Sequence, residues 1–89
     1  MTLPKRKFTA ADLIVGKTYR VIKEFKEYGG TLHPVGEHWK YFGKSFLPYE
    51  DGLSLFIEKG GMKIQVRLQW REETQGPIID SFSDFMEEI

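Results

Sequence analysis

The chain has no cysteine among its 89 residues, which removes disulfides, thiolate metal sites and a cysteine nucleophile together. No apolar run approaches the roughly 20 residues a membrane-spanning helix needs. The start, MTLPKRKFTAADLIVG, is basic but has no apolar core of a signal peptide. These absences predict a soluble, unexported cytoplasmic protein with no membrane association. No glycine-rich loop opens a helix, and Ser45, Ser54, Ser81 and Ser83 lack the flanking glycines of a nucleophile elbow. Residues 72–89 hold no base at all: all thirteen Lys and Arg lie before residue 72, with seven acids, and the other six acids lie within 72–89. The zero net charge therefore conceals a basic body and an acidic tail, read as the solvated face of a terminal helix, as a segment folding back on the body or as a tail for a partner.

What the chain does contain is aromatic residues, thirteen of them, and one clean alternation. In MKIQVRLQWR, residues 62–71, Met62, Ile64, Val66, Leu68 and Trp70 face one way and Lys63, Gln65, Arg67, Gln69 and Arg71 the other. That is a strand with a dry face and a wet one. The wet face carries cations and amides and no carboxylate. Gly60-Gly61 predicts a tight hairpin to Leu53–Glu58 that pairs Glu58 with Lys63, Ile57 with Ile64, Phe56 with Gln65, Leu55 with Val66, Ser54 with Arg67 and Leu53 with Leu68. A one-residue slip would set Ile57 against Lys63, so the dry face determines the register. Phe56 alone among the apolar residues is left on the wet side.

Elsewhere, Thr9 caps a short helical turn that Gly16 stops. Residues 18–26 read as a strand with an irregularity at Ile22, followed by a long excursion to Gly36. Residues 37–46 resume the strand, bent at Gly43. Residues 47–52 form a second loop ending in Asp51-Gly52, and Ile78-Ile79 a short closing strand. A C-terminal acidic helix over about 80–88 follows, with Phe82, Phe85, Met86 and Ile89 on one face. The expectation is a mainly β domain over 8–89: a small SH3-like antiparallel barrel of about five strands, with a short N-terminal helical turn, a C-terminal helix and a flexible basic segment over 1–7. Another five-stranded barrel of the OB type is the alternative.

Chemistry-bearing clusters are few. His33, His38 and Glu37 are the one group with metal-ligand chemistry, but in a strand Glu37 and His38 face opposite ways. Glu50 and Asp51 are adjacent loop carboxylates, read as turn formers. No catalytic residue, metal or cofactor is expected. The surface that remains combines loop aromatics with the polar strand: Phe46, Tyr49, Phe56, Arg67 and Gln69 are the candidate binding residues of a non-enzymatic protein-interaction module with a protein partner. The alternative is nucleic-acid binding through the cationic strand from Lys63 to Arg71.

The segments GKTYRVIKEF, VGEHWKYFG, SFLPYEDGLSLF and RLQW together resemble a family of small bacterial proteins known as a domain of unknown function. The likeness spans roughly residues 8–85. It implies a bacterial source and a free-standing protein, and brings no activity, substrate or catalytic residue.

Overall fold

The computed structural model describes residues 7–47, 52–70, 73 and 75–89. The basic segment over 1–6, Tyr49, Glu50, Asp51 and Arg71, all named above, lie outside the described residues. Strands β1 (Thr18–Val21), β2 (Phe25–Lys26), β3 (Leu32–His33), β4 (His38–Leu47), β5 (Gly52–Lys59), β6 (Met62–Gln69) and β7 (Met86–Glu88) are accompanied by one short helix, α1 (Gly76–Asp80). Five strands form an antiparallel sheet in the order β6-β5-β4-β1-β7, and β2 and β3 form a separate hairpin. The main sheet is open, with β6 and β7 at its edges, where a closed barrel was expected.

The β5–β6 hairpin has the expected register, residue for residue. Gly60 and Gly61 take φ of 58° and 81°, positive at both central positions as a type I′ turn requires. The dry residues Leu53, Leu55, Ile57, Val66 and Leu68 are buried with Trp39, Tyr41, Tyr19 and Val21 of β4 and β1. At the N-terminus Thr9 caps a 3-10 turn over Ala10–Asp12 in a reciprocal capping box. The bend in β4 falls where expected: a bulge between Tyr41 and Gly43 leaves Phe42 as the extra residue.

The C-terminus differs from the expectation in two ways. Ile78 and Ile79 belong to α1 and not to a strand, because Pro77 at the first turn starts a helix at Gly76. The helix expected over 80–88 is absent: Ser81 leaves helical geometry at φ −121°, ψ 43°, a 3-10 turn spans Phe82–Asp84, and Met86–Glu88 is β7. The cause is the unpaired edge of β1. β7 adds to it, Ile89 N–H donates to Thr18 C=O at 3.0 Å, and Arg20 pairs with Glu87 and Lys17 with Glu88. A strand edge satisfies more backbone groups than one further turn of isolated helix. The acidic tail thus folds back on basic β1, and Phe82 and Met86 are fully buried.

The strand expected over 18–26 ends at Val21, and where an irregular excursion to Gly36 was expected, Phe25–Lys26 pairs with Leu32–His33 to make the β2–β3 hairpin. Its anchor is His33, 3% exposed. The Nδ1 atom lies 2.6 Å from Glu37 Oε1 and Nε2 lies 2.9 Å from Glu27 Oε1. Each ring nitrogen thus faces a carboxylate oxygen. Trp39 Nε1 donates to Glu37 Oε1 at 2.6 Å, and Lys59 Nζ lies 3.2 Å from Glu37 Oε2. The rings of Phe25 and Trp39 each sit 5.1 Å from the imidazole. Glu27 reaches further: its Oε2 accepts the backbone N–H of Arg67 at 2.8 Å, while Tyr28 N–H donates to Arg67 C=O at 2.7 Å. One buried network therefore ties the hairpin to β4 on one side and to the edge of β6 on the other.

Burial opposes ionisation of Glu37, but the hydrogen bonds from His33 and Trp39, the charge of His33 and the contact with Lys59 outweigh it and hold the carboxyl below the usual range. A carboxyl depressed in the folded state contributes stability that is complete above its unfolded value, about 4.3, and is lost as pH falls through the lower folded value. Urea melts of wild type and Glu37→Gln should therefore converge as pH drops below about 4, and a difference independent of pH would contradict the linkage. Phe82→Ala should lower unfolding free energy by about 3–5 kcal/mol, which urea melts at neutral pH measure directly.

Candidate functional site

Antiparallel pairing puts opposed residues on one face, so the outer face of the main sheet can be read row by row. It presents Arg20 of β1, His38, Lys40 and Phe42 of β4, Glu58 and Phe56 of β5, and Lys63, Gln65 and Arg67 of β6. The β4 bulge pushes Phe42 outward and sets Gly43, without a side chain, opposite Phe56. The two rings flank a hollow of about 440 Å³ lined also by Lys63, Gln65, Ile57 and Ile64. Phe42 is 40% exposed, Phe56 41% and Met62 at the hairpin 70%. Lys40 and Lys63 each place Nζ 5.8 Å from the Phe42 ring centre, within cation–π range. Gln65 Nε2 donates to Ser54 Oγ at 2.8 Å, which accounts for Ser54 being buried on a face expected to be wet.

The five residues singled out from the sequence do not converge. Phe56 and Arg67 share the outer face. Phe46 pairs with Leu53 and lies on the opposite face, its ring 5.4 Å from that of Trp70. Gln69, at 9% exposure, is buried opposite Gly52, and Tyr49 lies outside the described residues. Phe42 and Lys40 were missed, though the alternation His38, Lys40, Phe42 against Trp39 and Tyr41 already set them on one face. Lys63 was recognised as part of the cationic stripe.

The ionisable cluster is turned inward. Glu27 and Glu37 bracket opposite nitrogens of one imidazole, so their oxygens cannot converge with it on a single ion. Among the described residues no group of three His, Cys, Asp or Glu is arranged to hold a metal. His38 sits on the exposed outer face, apart from His33. Burial, and then the neighbouring Tyr19, push the Tyr41 phenol up, which keeps it protonated and unsuited to act as a base. Among the described residues no helix is long and apolar enough to cross a membrane.

Residues 5–89 match the family described as a domain of unknown function, DUF3601. A solved structure of an integron cassette protein from the mobile metagenome of Vibrio cholerae is similar, with 30% sequence identity, 93% of each chain covered and a TM-score of 0.85. No curated protein matches the chain. The family expected from the GKTYRVIKEF, SFLPYEDGLSLF and RLQW segments is thus the family found, and the chain belongs to this family of domains of unknown function.

Proposed function

We propose that this protein is a non-enzymatic, cytoplasmic interaction module that binds a protein partner through the outer face of β4, β5 and β6. The observation that carries this reading is the pair Phe42 and Phe56, exposed around a concave hollow lined also by Lys63 and Gln65, with Lys40 beside the Phe42 ring. Aromatic anchors beside polar, chargeable neighbours are the composition of binding hot spots. The non-enzymatic part rests on the burial of the His33 cluster, whose polar atoms are spent on one another. The strand order, with a long excursion between β1 and β4 and a tight β5–β6 turn, supports an SH3-like kinship in an opened form, on which the site does not depend.

A second reading, binding of single-stranded nucleic acid, is favoured by the lysines set beside the Phe42 ring, since stacked bases over aromatics with flanking cations are the usual platform. Two experiments separate the readings. In nuclease-treated pull-downs, Phe42→Ala with Phe56→Ala should reduce partner recovery by roughly tenfold or more, the loss expected of a hot-spot pair. Equal recovery, with the melting midpoint unchanged, would remove this face from the reading. Fluorescence anisotropy with a random single-stranded oligonucleotide should show no binding even at low salt; salt-dependent binding would favour the second reading.

A further inference from the structure

Resting on the protein-partner reading above, we propose that the open edge of β6 at Lys63–Gln65 is a strand-addition site for an extended, acidic segment of that partner. β6 ends the main sheet. The backbone N–H and C=O of Arg67 both point away from β5, because Glu27 Oε2 and Tyr28 N–H meet them there. In an antiparallel strand this direction repeats every second residue. Lys63 and Gln65, opposite Glu58 and Phe56, therefore turn their backbone groups outward on the same edge. Among the described residues nothing pairs with them.

The molecule itself shows what this edge accepts. At Arg67 it receives one backbone N–H and one carboxylate, the latter standing where a strand carbonyl would be. An incoming chain continues this arrangement toward the Gly60-Gly61 turn, ending where residues 27 and 28 already occupy the edge. The register dictates its side chains. Positions on the outer side lie beside Lys63 and the amide of Gln65, with Arg67 at the end of the row, so they are acidic. Positions on the other side lie over Met62, 70% exposed, and half-buried Ile64, so they are β-branched and apolar. Lys63 is also the usual guard against edge-to-edge pairing of identical chains: it repels the same edge of a second copy and attracts an acidic strand. Four backbone hydrogen bonds at two outward residues make this a short, fast-exchanging addition of the β-augmentation kind.

The test uses the full chain, labelled with nitrogen-15, and a capped Glu-Val-Glu-Val-Glu-Val peptide as probe, with a capped Lys-Val-Lys-Val-Lys-Val peptide as control. The acidic probe should slow hydrogen exchange of the Lys63 and Gln65 amides by roughly tenfold, and the basic control should leave both unchanged. Gln65→Pro removes an outward N–H, which an edge strand tolerates, and should abolish binding, whereas Gln65→Ala keeps that N–H and should only weaken it. If Gln65→Pro does not fold, exchange in the wild type decides. Unchanged exchange at saturating probe, no binding, or equal binding of both peptides overturns the proposal. So does slowed exchange in concentrated protein without probe, which would assign the edge to a second copy. Unchanged exchange here, alongside lost recovery in the Phe42 and Phe56 variant, leaves the outer-face reading standing and removes only the edge.

Discussion

The architecture turns on one buried histidine held between two glutamates. A charged or half-neutralised group in an apolar surround is expensive unless every hydrogen-bonding site is met. Around His33 the sites are met from three directions: Glu37 ahead of β4, Glu27 on the hairpin, and through Glu27 the backbone of Arg67 on β6. Replacing such a set with apolar residues can be neutral, but removing one member strands the rest. The value of the network is therefore conformational. It specifies where a 16-residue segment between β1 and β4, with only two short strands of its own, comes to rest.

That placement has a consequence at the sheet edges. An open five-stranded sheet has two of them, and unpaired edges template unwanted association. β7, adding the C-terminal residues to β1, covers that strand and leaves an edge only three residues long. The hairpin closes only the far end of the second, at Arg67. The near end of β6 remains open beside the two exposed phenylalanines, so the distinctive surface of the molecule lies where its self-protection stops. The bulge in β4 serves the same region, turning Phe42 out and placing Gly43 opposite Phe56.

Legibility in the sequence followed the range of the interaction involved. The β5–β6 hairpin was readable because a two-residue glycine turn and period-two burial are local and mutually reinforcing. The capped turn at Thr9 and the bend in β4 were readable for the same reason. The C-terminus was misread because Phe82, Phe85 and Met86 satisfy a helical spacing in isolation, and the competing partner, the edge of β1, is more than sixty residues away in sequence. The burial of His33 is not legible in the sequence because both its partners join it only when the hairpin folds. The alternation of residues 38–42 sets Phe42 on the outer face, but only the bulge brings it beside Phe56 by setting Gly43 opposite that ring.

By itself the sequence determined a mainly β, cysteine-free domain, the register of its best hairpin, the family it belongs to and a strand whose wet face is cationic. Tertiary structure decided the rest: that the sheet is open and not closed, that the acidic tail is a strand and not a helix, and that Gln69 is buried while Phe42 is displayed. The physical reason is common to all three. A backbone hydrogen-bonding group at a strand edge, or a side chain on a sheet face, is committed only by whatever second segment arrives there, and that segment is chosen by the fold as a whole.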